Sequence, residues 1–249
     1  MNIKGNTVLI TGGATGIGFA LAEAFVKAGN KVIICGRREN RLAEAKKKIP
    51  SIVTRKCDVT SDANRKALFD WIKQDFKDLN ILINNAGIQK TADFKTGAKE
   101  LDKPGDEIDT NLVAPVRLTA LFVPFLMKQK TSAVFNVSSG LGFVPIAMMP
   151  VYCATKAALH SFTVSLRFQL KDTSVKVFEI IPPAVETELG SEEGETEPGY
   201  PGAKPVVVSD AVMKAISADR FEIPAGDANG LVEGSCKDFQ GTFDNLNRW

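Results

Sequence analysis

The sequence predicts an α/β fold in which a parallel sheet of about seven strands carries helices on both faces. Short apolar runs rich in β-branched residues alternate with longer stretches of helical periodicity. The apolar runs are nearly continuous, as in parallel strands that are covered on both faces. With 249 residues and no repeat or linker, the chain is expected to form one domain over 1–249, a Rossmann-type doubly wound sheet.

The strands and helices can be assigned in order along the chain. Strands are predicted at 6–11, 31–36, 51–57, 80–85, 133–139 and 175–181, with a last strand near Arg220–Ile223. Helices are predicted at 16–29, 38–48, 61–77, 104–129, 150–171 and 207–217, followed by a polar and less regular tail. The stretch 186–205 is rich in Gly, Pro and Glu, which predicts a long, mobile loop that serves as a substrate lid.

Composition excludes several functional classes. Thirty-one basic and 29 acidic residues leave a net charge of +2, which provides no field for nucleic acid or an anionic membrane. Four cysteines without short-spaced Cys/His pairs favour reduced thiols over disulfides or a metal site. No run approaches the roughly 20 apolar residues of a membrane span, and no signal peptide pattern opens the chain. We therefore expect a cytoplasmic protein without a bound metal.

The string "TGGATGIG" at 11–18 follows the first predicted strand and opens the first helix. In a dinucleotide fingerprint, Gly12 would permit the turn, Gly16 would let a pyrophosphate approach the backbone, and Gly18 would allow close packing of the helix. Free N–H groups at the helix start would hold the phosphates. Glycine also marks ordinary tight turns, but the flanking strand and helix favour nucleotide binding. No Lys-Ser/Thr follows, which argues against a P-loop.

The end of the second strand predicts which dinucleotide binds. Sites for NAD usually place an acidic residue here to bind the ribose 2′-hydroxyl, whereas this chain has Gly36 followed by Arg37 and Arg38. A guanidinium can bind a 2′-phosphate through two hydrogen bonds. NADP(H) is therefore predicted in preference to NAD(H). The alternative is that the two arginines only begin a surface helix.

In "PVYCATKAALHSF", Tyr152 lies four residues before Lys156, so the two side chains share one face of the predicted helix. Such a pair is either an ordinary helix contact or a means of making a tyrosine acidic. The residues alone leave both interpretations open.

Four motifs in order carry a family resemblance. "TGGATGIG", "NNAG" (84–87), "NVSSG" (136–140) and "YCATK" (152–156) make the chain resemble the short-chain dehydrogenase/reductase family over about residues 5–190. The longer strings "NNAGIQK", "SGLGFVP", "PVYCATKAALHSF" and "VKVFEIIPPAVETEL" resemble its DltE-type oxidoreductase branch. That branch is named from an operon for D-alanylation of lipoteichoic acid in Gram-positive bacteria.

The resemblance implies roles for the residues of these motifs. Tyr152 would be the general acid/base, and Ser139, thirteen residues earlier, would polarise the substrate carbonyl in preference to Ser138. Lys156 would bind the nicotinamide ribose and, together with the charge of oxidised nicotinamide, favour the phenolate. A tyrosine pKa near 7 requires roughly 4 kcal/mol of phenolate stabilisation.

Asn111 is the fourth catalytic position that the resemblance implies. Residue 115 is proline, so it has no N–H to donate to the carbonyl of Asn111 within a helix. The freed carbonyl could hold a water that links Lys156 to solvent as a proton relay. A simple proline kink predicts the same backbone, so the sequence does not separate these alternatives.

The resemblance also implies the remaining cofactor contacts. Asp58 and Val59 would lie beside the adenine, Asn84 to Gly87 along the ribose and phosphates, and Val185 and Thr187 at the carboxamide. The full predicted set of cofactor-binding residues is Gly12, Thr15, Gly16, Ile17, Gly18, Arg37, Arg38, Asp58, Val59, Asn84, Asn85, Ala86, Gly87, Tyr152, Lys156, Pro182, Val185 and Thr187. One departure is Pro183, where most of the family has glycine.

The substrate is predicted only as a small carbonyl or alcohol compound. The stretch 140–150, with its apolar side chains, is expected to form the pocket wall, unless it is buried or lies at a subunit contact. A neutral or cationic substrate is favoured if the lid glutamates face inward; they are Glu186, Glu188, Glu192, Glu193, Glu195 and Glu197. His160, the only histidine, is interpreted as structural or interfacial and not catalytic, and Cys153 as a packing residue.

The sequence leaves the assembly and two rival functions to be considered. The family resemblance implies a homodimer or homotetramer formed through the helices at 104–129 and 150–171. A dinucleotide-sensing regulator without chemistry is one rival, although Ser139, Tyr152 and Lys156 argue against it. A DltE-like factor in cell-surface polymer metabolism is the other.

Overall fold

A computed structural model describes residues 1–97, 107–187, 189 and 202–248. Its centre is a parallel seven-stranded sheet with the order β3-β2-β1-β4-β5-β6-β7. The strands are β1 Thr7–Thr11, β2 Lys31–Gly36, β3 Val53–Lys56, β4 Leu79–Asn84, β5 Ser132–Val137, β6 Val175–Ile181 and β7 Glu222–Pro224. The predicted Rossmann-type fold is confirmed.

Helices cover both faces of the sheet. They are α1 Gly16–Lys27, α2 Glu39–Lys48, α3 Asp62–Asp75, α4 Ala114–Leu126, α5 Pro150–Gln169, α6 Pro205–Ser217, α7 Ala228–Lys237 and α8 Phe239–Leu246. Short 3₁₀ turns lie at Phe94–Thr96 and Gly140–Gly142, and a π-helical turn at Asp109–Val113 runs directly into α4. No helix within the described ranges is long and apolar enough to cross a bilayer.

The continuous apolar strands follow from burial on both faces. Val8 and Ile10 of β1 pack with α1, α2 and α6, whereas Leu9 between them packs with α3, α4 and α5 on the opposite face. Successive side chains of a strand point to opposite faces, so both sets of positions must be apolar here. Two separate hydrophobic layers therefore fix the sheet between its helices.

The topology forms a crevice at the carboxyl edge of the sheet. The chain builds β1, β2 and β3 toward one side and then crosses over to place β4 on the other side of β1. In open α/β sheets, ligands bind outside the carboxyl ends of the strands where the order reverses. The loops after β1, β2, β4 and β5 therefore meet where the predicted site residues lie.

Some element predictions were wrong or lie outside the described residues. The expected irregular tail is instead two helices, α7 and α8, which pack against each other so closely that a Cβ at Gly234 would overlap the Thr242 side chain. Most of the predicted lid lies outside the described residues. The ends of that stretch are paired, because Val185 forms a parallel bridge with Ala203 and the N–H of Glu186 donates to the Ala203 carbonyl at 3.0 Å.

Candidate active site

The Gly-rich turn after β1 is built by close backbone contacts. Gly12 has a φ of 62°, and a Cβ there would lie 2.9 Å from the Cα of Ala86. A Cβ at Gly18 would overlap the Gly12 carbonyl oxygen, so α1 packs onto the turn at a distance that only glycine allows. The close packing predicted at Gly18 is present, although its partner is the turn rather than a strand.

The loop after β4 is held onto this turn. The Asn85 amide nitrogen Nδ2 donates to the carbonyls of Thr11 (2.8 Å) and Gly12 (3.1 Å). The Thr11 hydroxyl oxygen accepts bonds from the backbone N–H groups of Asn85 and Ala86, both at 3.0 Å. Thr11 was not among the predicted site residues, yet its hydroxyl joins the two loops that border the crevice.

A cavity opens between the loops that follow β1, β2, β3 and β4. Its lining residues are Gly12, Gly36, Arg37, Cys57, Asp58, Val59, Ala86, Gly87, Ile88 and Thr110. Six of them were predicted as cofactor contacts. A Cβ at Gly36 would meet nothing within 4 Å, so the end of β2 has open space beside Arg37. The fit to a dinucleotide rests on this cradle of glycines and on the Arg37 guanidinium. Arg38 does not line the cavity and is the N-cap residue of α2, which agrees with the alternative interpretation for that residue.

Ser139, Tyr152 and Lys156 are all buried, with 4–5% of each residue exposed. Ser139 follows β5 and caps the 3₁₀ turn, its hydroxyl oxygen accepting from the N–H of Leu141 at 3.1 Å. The Lys156 ammonium donates to the carbonyl of Val137 at 2.9 Å and lies 5.6 Å from the centre of the Tyr152 ring. A Cβ at Gly87 would lie 3.7 Å from that ammonium, so these residues adjoin the cavity.

Burial dominates the electrostatics of this group. It raises the pKa of Tyr152 to about 12, opposed by the neighbouring Ser139 side chain, and it lowers the pKa of Lys156 to about 8. Buried Glu107 raises the tyrosine pKa further. Loss of solvation favours the neutral form of both groups, so burial opposes the phenolate that Lys156 and oxidised nicotinamide were expected to favour, and that expectation stays a prediction.

The π-helical turn presents Asn111 to the helix that carries Tyr152. Its side-chain oxygen accepts from the N–H of Ile88 at 2.9 Å, and its Nδ2 donates to the Ile88 carbonyl at 2.8 Å and to the Thr155 hydroxyl at 3.2 Å. Thr155 in turn donates to the carbonyl of Tyr152 at 2.7 Å. The turn ends with the N–H of Ala114 bonded to the Asp109 carbonyl, five residues back. Asn111 thus ties the loop after β4 to α5.

The C-terminal helices complete the surroundings of the predicted pocket wall. The Asn247 side-chain oxygen accepts from the N–H of Ala147 at 2.6 Å, and its Nδ2 donates to the carbonyl of Pro145 at 3.2 Å. A Cβ at Gly140 would lie 2.8 Å from the Cδ1 atom of Leu231 on α7. The segment missed by the sequence analysis therefore supports the wall at 140–150.

Comparison with known proteins identifies the family. The sequence profile described as short chain dehydrogenase matches residues 6–198. The chain belongs to the short-chain dehydrogenase family. It is 47% identical over 248 residues, 99% of this chain and 98% of the other, to the protein named "Uncharacterized oxidoreductase DltE" of Bacillus subtilis strain 168. The predicted family and its DltE-type branch are confirmed.

Two further relatives carry a stated cofactor. An NADP-dependent 3-hydroxy acid dehydrogenase of Schizosaccharomyces pombe is 31% identical over 193 residues, 75% of this chain and 74% of that one. The crystal structure of a short chain dehydrogenase from Burkholderia cenocepacia J2315 in complex with NADP superposes with a TM-score of 0.85, at 25% identity and full coverage of both chains. This short-chain dehydrogenase thus shares the fold of that crystal structure.

The other predicted cofactor residues of this short-chain dehydrogenase lie either at the start of α1 or in the segment that follows β6. Thr187 adjoins the Gly-rich turn, because a Cβ at Gly16 would lie 2.8 Å from its methyl carbon. Thr15 is the N-cap residue of α1, and the Pro182 carbonyl accepts from the N–H of Gly140 at 3.1 Å. Ile17 and Val185 pack against the core on the α1 side.

Asn84 departs from its predicted position along the cofactor. Its side chain is buried, and its Nδ2 donates to the Thr119 hydroxyl (3.1 Å) and to the Asn136 side-chain oxygen (2.8 Å). The prediction is therefore corrected for this side chain, which joins β4 to α4 and β5. Asn85 to Gly87, just beyond the strand end, border the crevice instead.

Sequence reasoning also missed Glu179, a carboxylate on β6 that is fully buried. It bonds both Ser138 and His160, which assigns these two residues to a network separate from the Ser139 hydroxyl. A signal was present, since a glutamate inside the apolar run "VKVFEII" of a doubly covered strand requires a polar partner. Cys153 is buried and contacts Ile146, in line with its predicted packing role.

Proposed function

We propose that this short-chain dehydrogenase is an NADP(H)-dependent oxidoreductase that interconverts a carbonyl compound and its alcohol, with Tyr152 as general acid/base. The observation that carries the proposal is the buried group of Ser139, Tyr152 and Lys156 beside Gly87, at the edge of the cavity lined by Gly12 and Arg37. The nicotinamide cofactor, when bound, supplies the hydride or accepts it in the reverse reaction.

The proposed cofactor preference rests on the end of β2. Gly36 carries no carboxylate that would repel a 2′-phosphate, and Arg37 lines the cavity beside it. The S. pombe relative is named NADP-dependent, and the B. cenocepacia relative was crystallised with NADP. Both relatives support NADP(H) as the cofactor, and the open end of β2 makes Arg37 the proposed contact for its 2′-phosphate. Gly12, Gly16 and the N–H groups at the start of α1 would hold the pyrophosphate.

In the proposed reduction, the Ser139 hydroxyl holds the carbonyl oxygen of the substrate. The Tyr152 phenol donates its proton to that oxygen, which becomes the alcohol hydroxyl, and the resulting phenolate is reprotonated through Lys156 and solvent. A tyrosine pKa of about 12 keeps the phenol protonated at neutral pH, which suits a proton donor. In the oxidation, Tyr152 must first lose its proton, and the charge of oxidised nicotinamide favours that form.

The substrate class remains a small carbonyl or alcohol compound bounded by the wall at 140–150. The name of the S. pombe relative adds 3-hydroxy acids to the candidates, whereas the predicted lid glutamates favoured neutral or cationic compounds. A panel for activity therefore needs both kinds: aldehydes, ketones and sugars, together with short 3-hydroxy acids.

The experiment follows NADPH absorbance with this panel for the wild type and for Tyr152→Phe, with NADPH binding measured by fluorescence in both. We expect turnover in the wild type that falls about 10²- to 10⁴-fold in the variant while NADPH binding is retained. Equal turnover in the two proteins would reject Tyr152 as the acid/base. NADPH binding without turnover on any compound would favour the dinucleotide-sensing rival.

A further inference from the structure

We propose that Ser138, Glu179 and His160 form a positioning network that fixes the strand end carrying Ser139 against the helix carrying Tyr152. The network is a feature of the fold, whereas its kinetic consequence rests on the proposed function. None of the three residues lines the cavity described above, so we propose that they act through their neighbours.

Glu179 is the centre of the network. Its side chain is fully buried on β6 between Phe178 and Ile180. The Ser138 hydroxyl donates to its Oε1 at 2.6 Å, and the His160 Nδ1 lies 2.8 Å from Oε2 and 3.1 Å from Oε1. A buried carboxylate is costly unless it is paired and hydrogen-bonded. The two partners therefore hold it in one orientation.

Each partner adjoins a proposed catalytic residue. Ser138 directly precedes Ser139, and its N–H donates to the Ile180 carbonyl at 2.9 Å. On α5, His160 follows Lys156 by four residues and Tyr152 by eight, so all three share one helix face. The His160 ring also packs against Phe143 of the pocket wall, with 4.4 Å between ring centres. The network thus joins β5, β6 and α5 behind the site.

The charge of His160 controls how firmly Glu179 is held. The hydrogen bond with Glu179 raises the pKa of His160 above its usual 6.5, and partial burial opposes the rise. Within the described part of the chain, the other charged groups that act on it are Glu222 on β7, which raises the pKa, and Arg167 on α5, which lowers it. Glu222 and Arg167 also pair with each other at 3.1 Å.

The sign of the pH effect follows from the raised pKa. The ion pair is complete below the unfolded-state pKa of about 6.5 and is lost as the pH rises through the folded-state pKa of His160. Above that value, a neutral imidazole leaves Glu179 with weaker bonds, and Ser138 and Ser139 are then less firmly fixed. We expect kcat to fall with this titration while the KM for NADPH stays constant.

The first experiment does not depend on activity. His160 is the only histidine in the chain, so proton NMR of its imidazole gives a single titration curve without overlapping signals from other histidines. We expect a midpoint above about 6.5 in the wild type, a lower one in Glu179→Gln, and a higher one in Ser138→Ala, where the carboxylate loses a competing donor. Glu222→Gln is the matched control for a nearby exposed carboxylate, with a smaller shift expected than for Glu179→Gln.

Two outcomes of the titration would reject the proposed network. An unchanged midpoint in Ser138→Ala, or equal shifts in Glu222→Gln and Glu179→Gln, would overturn it, whether or not a substrate is found. If Glu179→Gln fails to fold, Ser138→Ala still decides the question, because it removes only a hydroxyl group.

The second experiment uses a substrate identified by the activity panel. His160→Phe removes the donor and should lower kcat by about three- to tenfold with the KM for NADPH unchanged, and His160→Gln, which keeps an N–H donor, should recover part of the loss. The wild-type kcat should fall through the midpoint measured by NMR, and this step should be absent in His160→Phe. An identical pH profile in the two proteins would overturn the positioning role, while lack of turnover in the wild type would reject only the proposed function.

Discussion

The Lys156 ammonium lies one helical turn from Tyr152, 5.6 Å from the centre of its ring, and donates its hydrogen bond to the carbonyl of Val137. The cation thus ties α5 to the end of β5. Because both side chains are buried, each favours its neutral form, with pKa values of about 12 and about 8. A pKa of about 12 keeps the Tyr152 phenol protonated at neutral pH, which is the form that the proposed carbonyl reduction requires.

The depressed pKa of Lys156 predicts a specific dependence of stability on pH. Between its folded-state pKa of about 8 and the ordinary lysine pKa of 10.5, the unfolded chain binds more protons, so stability rises with pH. We expect the free energy of unfolding in urea to gain about 2 kcal/mol from this group between about pH 7.5 and about pH 9.5. Lys156→Met, which has no titrating group there, should lack the gain. Parallel pH dependences in the two proteins would contradict this assignment.

Arg37 and Arg38 should differ in their effect on cofactor choice. Arg37→Ala removes a cationic partner of the proposed 2′-phosphate, so the KM for NADPH should rise about 10- to 100-fold with little change for NADH. Arg38→Ala is the matched control, since Arg38 caps α2 and does not line the cavity. Steady-state kinetics with both cofactors measures the contrast. Equal losses with NADPH and NADH in Arg37→Ala would exclude the phosphate contact.

Two glycines of helices should respond oppositely to alanine. In Gly18→Ala the new Cβ overlaps the Gly12 carbonyl, and the resulting strain should lower the free energy of unfolding by about 1–3 kcal/mol. Gly230 of α7 has open space around its Cβ position, so Gly230→Ala should raise stability by about 0.5–1 kcal/mol. Urea unfolding measures both, and NADPH binding should weaken in Gly18→Ala alone. Stabilisation by Gly18→Ala would refute the tight packing described for the Gly-rich turn.

Thr155 links Asn111 to the backbone of Tyr152 and should be sensitive to loss of its hydroxyl. Thr155→Val keeps the shape but leaves the Asn111 Nδ2 group without this acceptor, at a cost of about 1–3 kcal/mol in unfolding free energy. Thr155→Ser keeps the hydroxyl and should lose much less. If valine and serine variants unfold at the same urea concentration, the hydroxyl bridge contributes nothing to stability.

The sheet could be predicted from the sequence because most of its strands are nearly continuous apolar runs separated by stretches of helical periodicity. The tail could not. In α7, two glycines and several polar residues lower helix propensity, and the helix is stabilised by contacts that only the folded chain provides. These include the fit of Gly234 against Thr242 and the Asn247 bonds to the segment at 145–147.

The candidate site, too, could be predicted only in part from its sequence motifs. The motif strings located the Gly-rich turn and the residues from Ser139 to Lys156, because their chemistry depends on local spacing. They gave no access to burial, which raises the pKa of Tyr152 and so opposes the expected phenolate. They also could not reveal that Asn84 turns into the interior or that Glu179 on β6 meets His160 on α5, since both depend on packing between distant elements.

The bridge between Val185 and Ala203 has a consequence for how this protein can diversify. Because the two residues are paired, the two ends of the segment between them are held together, and each doubling of the segment's length would add only about 0.6 kcal/mol of closure entropy. Its length and composition can therefore change while β6 and α6 stay where they are.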